Sequence, residues 1–411
     1  MNSALPSLAS AAWLKAPALQ RVFTAIGREG DELRAVGGAV RNSLLGEPVS
    51  DVDLCTTALP HQVMRRAEKA GLKAIPTGID HGTVTVVSSG EAFEITTLRE
   101  DVETFGRHAV VRFGRDWTHD AARRDFTLNA LYCSADGTLH DPLDGLRDCL
   151  ARKVRFIGDA SQRIREDYLR ILRFFRMQAS YGSGAPDAEG LAASIALRDG
   201  LRQLSAERVG SELKRLVVAP KAAPVVHLME DSGILEIVTG GVARLADFEA
   251  LKQLQPDLPE AAAAPVCLAA LFGFGTEDLE RLAERLRLSN AERDRMVRAR
   301  LAADRIVAAP DAQRLLKALL VDEGVATATD GLALAAAMLR AGGEDEGQLS
   351  AARALLTDWT VPVFPVTGRD LIELGLEKGP ALGAALARLR TAWADSDYTA
   401  SRTDLLALIS P

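Results

Sequence analysis

Cysteine is scarce, with four residues in 411, and Cys55, Cys133, Cys149 and Cys267 form no Cys-x-x-Cys pair. That spacing excludes a zinc-ribbon site and a disulfide framework, and it reads as small core residues in a reducing compartment. Histidine is nearly as rare. Of six, only His227 lies beyond residue 140, so the C-terminal half cannot assemble a multi-histidine metal centre, and His119-Asp120 is a lone dipeptide. Aromatic residues make up 5% of the chain, which leaves few platforms for stacking splayed bases. No apolar run approaches the roughly 20 residues that span a bilayer. The longest, around Ala261 to Phe274, reads as a buried helix. Met1 to Trp13 lacks a basic leader ahead of an apolar block, so a cytoplasmic location without a secretory signal is expected. Neither a solenoid period nor a low-complexity tail is present.

What remains is a chain with 47% hydrophobic and 26% charged residues, enough for a sizeable core and two to four domains. Its net charge of −7 argues against indiscriminate nucleic-acid binding but leaves room for a local basic face. From about Leu33 to Leu143 the apolar runs are short and β-branched, with turns at Ser88-Ser89-Gly90 and Ala135-Asp136-Gly137. Thr83 to Val87 and Ala92 to Thr97 predict a hairpin. Beyond about Asp144, Ala, Leu, Arg and Glu-rich segments with helical spacing take over. Breaks at Tyr181 to Gly190, Gln255 to Ala264 and Gly342 to Gln348 mark joints.

Gly37-Gly38-Ala39-Val40-Arg41 ends one apolar run and opens a helix-like one. A glycine pair there lets backbone N–H groups approach a phosphate. Ten residues on, Asp51-Val52-Asp53 presents two carboxylates to one face of a strand, as oxygen ligands for Mg2+. A phosphate cradle beside such a pair is the equipment of nucleotidyl transfer. Arg123-Arg124-Asp125-Phe126-Thr127-Leu128-Asn129-Ala130 gathers guanidinium forks suited to triphosphate oxygens with an Asp and an Asn suited to ribose hydroxyls; Asp125 equally suits a helix cap. Asp141-Pro142-Leu143-Asp144-Gly145 reads as a proline turn entering a helix, with Gly145 there for close packing. Ser161 to Ala179 predicts one helix that buries Ile164, Tyr168, Ile171, Leu172 and Phe175. Asp167 and Arg170 sit one turn apart on its flank, with Glu166 and Arg173 further round. That pair is either a surface ion pair or an acceptor and donor held toward the pairing edge of a base.

The ordered motifs Gly-Gly-x-Val-Arg, Asp-x-Asp, Arg-Arg-Asp-Phe-Thr-x-Asn-Ala, Asp-Pro-x-x-Gly-x-x-Asp, Glu-Asp-x-x-Arg and Ser-x-Glu-Arg-Val-x-x-Glu-Leu (Ser205 to Leu213) run from about Val36 to Leu216. Together they resemble the class II tRNA nucleotidyltransferases, the family of CCA-adding enzymes and bacterial poly(A) polymerases. The resemblance implies an α+β chain: a polymerase β-type head (small mixed sheet with flanking helices, 1–144), then an all-α neck (145–220), body (221–341) and tRNA-binding tail (342–411). It implies Mg2+ ligation by Asp51 and Asp53 and triphosphate contacts from Gly37, Gly38 and Arg41. Ribose or phosphate contacts would come from Arg123, Arg124, Asp125 and Asn129. Asp167 and Arg170 would serve as a protein template for incoming C or A, with Arg173 and Arg176 on the same helix in the nucleotide-binding set. Glu94 is the candidate for a third catalytic carboxylate on a neighbouring strand.

One departure is Asn42, where the family commonly carries Asp; it removes a charge but keeps an acceptor. Arg99 to Asp120, polar and punctuated by Gly106 and Gly114, reads as a mobile loop, and the matching family loop helps switch from C to A addition. The expected reaction is addition of C, C and A to tRNA from CTP and ATP by two-metal in-line attack of the 3′-hydroxyl, with pyrophosphate released. The rivals are a poly(A) polymerase, a CC-only or A-only enzyme, and an inactive RNA-binding protein. For RNA contacts, Arg281 to Ile306 holds eight arginines against four acids, which is either a backbone-binding face or an ordinary ion-paired one. Val366-Thr367-Gly368-Arg369-Asp370-Leu371, followed by Gly375, Gly379-Pro380 and Gly383, looks like the tail of the CCA-adding branch. The chain is expected to act as a monomer or homodimer.

Overall fold

The computed structural model describes residues 5–105, 108–256, 258–344 and 347–409. The chain divides into two compact units, Met1–Val238 and Thr239–Pro411.

The first unit is built on β1 (Leu33–Val36), β2 (Asp53–Thr56), β3 (Lys73–Gly78), β4 (Thr83–Ser88), β5 (Glu91–Thr97), β6 (Arg99–Phe105), β7 (His108–Phe113), β8 (Tyr132–Cys133) and β9 (Leu139–His140). Seven of these form one mixed sheet in the order β3-β4-β5-β2-β1-β8-β9. The β2–β5 pair is parallel, with Leu54 opposite Ile95, whereas β1 runs antiparallel to β2, with Val36 opposite Asp53. The expected β4–β5 hairpin is present. Its turn places Ser89 and Gly90 at φ of 53° and 87°, the left-handed pair that a two-residue turn matched to strand twist requires. Val84, Val86, Phe93 and Ile95 alternate into the core from the two strands.

Helices α1 (Pro17–Ile26), α2 (Gly38–Leu45) and α3 (Pro60–Lys69) flank the sheet. Buried Arg66 on α3 pins two of these elements by bonding the Ile26 carbonyl at 3.0 Å and Asp31 at 2.9 Å.

Arg99 to Asp120 is not the irregular loop that its polarity suggested. β6 and β7 pair as a separate two-stranded ribbon, closed at its base by a bond from the Gly114 N–H to the Leu98 carbonyl, and α4 (Trp117–Ala122) follows. Val102, Thr104, Val110 and Val111 are β-branched, and that preference outweighs polarity. Gly106 and Arg107 lie outside the described residues.

Past β9 the unit is helical. α5 (Gly145–Leu150) starts as expected after the Asp141-Pro142 turn, with both Asp141 oxygens accepting N–H bonds from its first residues. The single helix expected over 161–179 is instead two, α6 (Ala160–Glu166) and α7 (Leu169–Tyr181). Asp167 breaks it in extended backbone, φ −155° and ψ 107°. Its own oxygens accept the N–H groups of Leu169 and Arg170, so it starts the second helix rather than continuing the first. α8 (Ala188–Ala196), α9 (Ala206–Val217) and α10 (Ala222–Asp231) complete the packing.

In the second unit every described element is helical. Ala264–Phe272 is buried from Val266 onward, as its apolar run predicts. The helices Asn290–Ala308 and Val325–Gly342 pack closely at Gly331, where an added Cβ would lie 2.4 Å from that of Ala302. Within the basic stretch, Arg281, Arg293, Arg295, Arg300 and Arg305 all carry carboxylate partners, which favours the ion-paired reading for those five. A separate hydrophobic core that includes Leu371, Leu389, Trp393 and Tyr398 closes the C-terminal segment.

Candidate active site

The turn between β1 and α2 puts Gly37 at φ 69° and ψ −115°, a conformation closed to most side-chain-bearing residues. Across the sheet from Val36 is Asp53, the first residue of β2; Asp51 lies just before the strand. Both carboxylates are exposed. Burial of its surroundings pushes the Asp53 carboxyl up, Arg124 opposes this, and the neighbouring Asp51 charge adds to the rise. Two like charges held this close favour a cation between them. Glu94 on β5 is exposed and sits one step before the Leu54–Ile95 pair, beside Asp53 in register. Among the described residues no group of three or more acidic, histidine or cysteine side chains is gathered as a metal cage.

The other predicted residues form a connected scaffold. Arg41, 7% exposed, donates from Nη1 to Asn129 Oδ1 at 2.6 Å and from Nε and Nη2 to Asn42 Oδ1 at 3.1 and 2.8 Å. Its guanidinium stacks 3.8 Å from the centre of the Tyr181 ring at the end of α7. Asn129 donates to Asp125 at 3.1 Å, and Asp125 accepts from Arg173 Nε at 2.7 Å. Arg173 and Arg176 both reach the buried Glu212 on α9. Burial alone would raise the Asp125 carboxyl; Arg173 and the Asn129 bond reverse that and hold it below the usual carboxylate range. Arg41, Asn129, Asp125, Arg173, Glu212 and Arg176 thus make one chain of contacts from the glycine turn to α7 and α9.

Arg123 and Arg124 lead to a residue dismissed at the sequence level. Asp120, fully buried, accepts from Arg123 Nε at 2.8 Å, Arg124 Nη2 at 3.0 Å and the Tyr132 hydroxyl at 2.9 Å. Burial pushes its carboxyl up, but the two guanidiniums win and hold it low. Arg124 also donates to Tyr132 and to Cys55 Sγ, and burial pushes the Cys55 thiol up to about 12, so it remains a thiol. Asp120 stands three and four residues before the two arginines on one helical turn. That spacing was the available signal.

Asp167 and Arg170 do not pair with each other. Asp167 Oδ2 accepts from Arg208 on α9 at 2.6 Å, while Arg170 donates to Glu166 at 2.6 Å and to the carbonyls of Arg163 and Arg123. Each is held by its own partner and remains partly accessible.

A mixed sheet with a glycine turn facing an Asp-x-Asp segment at the start of the adjoining strand defines a polymerase-type nucleotidyltransferase head. In agreement, the family profile of the poly A polymerase head domain matches residues 33–155, and that described as the probable RNA and SrmB- binding site of polymerase A matches residues 186–244. The mitochondrial CCA tRNA nucleotidyltransferase 1 of Mus musculus is 36% identical over 413 residues, covering 96% of this chain and 92% of that protein. The CCA-adding enzyme of Levilactobacillus brevis is 32% identical, covering 90% and 91%. A crystal structure of the Bacillus stearothermophilus CCA-adding enzyme in complex with CTP superposes with a TM-score of 0.73 at 30% identity, covering 92% of this chain and 93% of that one. The chain belongs to the CCA-adding tRNA nucleotidyltransferase family.

Proposed function

We propose that this chain adds C, C and A to the 3′ end of tRNA, taking CTP and ATP as substrates. The observation that carries the reading is the exposed Asp51–Asp53 pair facing the Gly37–Gly38 turn, in a chain similar along nearly its whole length to proteins named for that reaction. The terminal 3′-hydroxyl of the RNA attacks the α-phosphorus in line; the new phosphoester forms as the bond to the β-phosphate oxygen breaks and pyrophosphate leaves.

Mg2+ suits the donor set. It binds through one or two carboxylates and completes its shell with phosphate oxygens and water, and Asp51 and Asp53 offer two hard, exposed oxygen donors. When bound there, the ion supplies a Lewis acid that acidifies the hydroxyl and offsets charge on the leaving group. Glu94 is a candidate to complete the acidic edge. The glycine turn seats the triphosphate against backbone N–H groups. Arg123 and Arg124, oriented by Asp120, supply positive charge at the pocket wall, and Asp125 and Asn129 orient Arg173 and Arg41. Asp167 and Arg170 read the base edge with the hydrogen-bonding capacity their scaffold leaves; an ionised carboxylate has about four acceptor positions.

On this reading 1–144 is the catalytic head, 145–220 the neck, 221–341 the body and 342–411 a tRNA-binding tail, acting as a monomer or homodimer. Among the described residues no helix is long and apolar enough to cross a membrane. Four buried free cysteines support a reducing compartment, and the cytoplasm is the one we propose.

Extension of tRNA transcripts ending at the discriminator base, at C and at CC, with Mg2+ and CTP or ATP supplied separately, tests the reading. Two C additions followed by one A are expected. Unlimited A addition to any RNA would assign the chain to the poly(A) branch, and no extension at all would overturn the proposal.

A further inference from the structure

Arg21 on α1, Arg28 just past its end and Lys69 at the end of α3 line one open groove of about 590 Å³, with Ala25 and Leu72 among its apolar residues and no carboxylate in its lining. All three cations are exposed. Among the described residues Arg21 and Lys69 have no ion pair, and Arg28 bonds only the Thr24 carbonyl through Nε, which leaves the outer edge of its guanidinium open. The basic stretch of the second unit differs, since Arg281, Arg293, Arg295, Arg300 and Arg305 there each face a carboxylate.

The acids around the groove do not offset these charges. Glu29 bonds Arg66 at 3.1 Å, and Glu68, next to Lys69 in sequence, is outside the lining. The adjoining groove shares Gln20 and Thr24 and holds Asp31, Glu32 and Asp136. Asp31 is committed to Arg66 and Arg115, Glu32 to Arg34, and Asp136 accepts the Thr138 N–H. In a chain of net charge −7 this leaves a local positive face, which concentrates anions that the whole molecule repels.

The form of the groove narrows the ligand. Arg21 lies five residues before the end of α1, about 7.5 Å along the axis at 1.5 Å per residue, and Arg28 lies beyond that end. Charge spread along a groove suits a run of phosphates better than a single one, and arginine forks match phosphate oxygens. Nothing is left to read a base: Gln20 Nε2 is spent on the Leu14 and Ala135 carbonyls at 2.7 and 3.2 Å, and the Thr24 hydroxyl donates to the Gln20 carbonyl at 2.8 Å. Contacts of that kind hold a backbone without regard to sequence.

The groove also lies away from the acidic pair. A Cβ on Gly27, at the end of α1, would lie 3.8 Å from Leu33 Cβ. Side chains alternate along β1, so Val36, opposite Asp53 in register, points to the other face of the sheet.

We infer that the Arg21–Arg28–Lys69 groove is a second RNA-binding surface, which holds a sugar–phosphate backbone remote from the 3′ end being extended. The groove stands on its own geometry; the choice of RNA among polyanions rests on the function proposed above.

The test titrates full-length wild type, the triple variant Arg21→Gln/Arg28→Gln/Lys69→Gln and the charge-keeping Arg21→Lys/Arg28→Lys with a 3′-phosphorylated RNA oligonucleotide, which cannot be extended, at several salt concentrations. Three phosphate contacts at about 0.7 each predict that log affinity against log salt becomes shallower by about 2 in the triple variant, with affinity at low salt about tenfold lower or more. The charge-keeping variant should retain the wild-type slope. Melting temperature and kcat for tRNA extension should match wild type in both variants, because the three side chains are exposed and face away from the acidic pair. An unchanged slope and affinity in the triple variant would overturn the inference. So would a wild-type rise in melting temperature with inorganic pyrophosphate that the triple variant loses, which would assign the groove to a small phosphorylated ligand, or an equal loss of polyglutamate binding, which would assign it to acidic protein. Failure of wild type to extend tRNA would overturn the proposed reaction and leave the RNA titration to decide the groove.

Discussion

The head holds two sets of aspartates that fold differently into their surroundings. Asp51 and Asp53 are exposed and close enough to repel each other, and the one cation influencing Asp53, Arg124, is committed to Asp120 and Tyr132. Asp120 and Asp125 are buried and held by internal partners, Asp120 by Arg123 and Arg124 and Asp125 by Arg173 and the Asn129 amide. The first set is left electrostatically incomplete by the protein; the second is completed by it. We therefore propose that the first pair carries the chemistry, while the second ties arginines into the scaffold.

Replacement of Asp53 by Asn gives the sharpest contrast. It removes a ligand charge but no internal partner, so tRNA extension should fall by at least a hundred- to a thousandfold while the melting temperature stays within a few degrees and tRNA binding is retained. Asp51→Asn should behave alike. Near-normal turnover in either variant would refute the metal assignment, and a matching collapse of stability would erase the distinction between the two sets.

Asp125→Asn should show the converse balance. It leaves Arg173 with only Glu212, and breaking a buried, hydrogen-bonded pair costs about 3 kcal/mol or more. Because the folded Asp125 carboxyl is held low, its contribution is fully present above the ordinary aspartate value of about 3.9 and is lost as pH falls through the lower folded value. The stability gap between wild type and variant, read by urea unfolding, should therefore be constant from pH 7 to about 5 and narrow in more acidic solution. A gap that widened on acidification would mean that Asp125 is not held as the ionised partner of Arg173.

Much of this was legible in the chain. The glycine turn and the β4–β5 hairpin depend on local spacing and backbone preference, which a linear sequence carries directly, whereas the strand expected to carry both Asp51 and Asp53 begins only at Asp53. Three features were less legible. Asp167 looked helical because its neighbours are, but its bond to Arg208, 41 residues away, accompanies a break. The 99–113 ribbon looked like a loop because its charges mask a β-branched pattern that only pairing realises. Asp120 was set aside with His119, although its spacing of three and four residues to Arg123 and Arg124 was the signal of the buried carboxylate that binds both arginines and Tyr132. Asp167 and Arg170 were singled out together, yet the fold gives each a separate side-chain partner.

The smallest expected effect lies at the seam between these regions. Gly145 opens α5 directly against the segment that carries Asn129, and a Cβ there would lie 2.3 Å from the Thr127 carbonyl oxygen. Backbone, not a movable side chain, is in the way, so Gly145→Ala should cost about 1–3 kcal/mol as an overpacked contact. Thr127 is further tied to Asp148 of α5 at 2.8 Å, so the push should be transmitted to Asn129 and from there to Arg41. A modest rise in KM for both nucleotides, about two- to fivefold, with little change in kcat would mark that route. Lost stability with unchanged KM would confine Gly145 to packing and show that the scaffold absorbs the strain before it reaches the pocket.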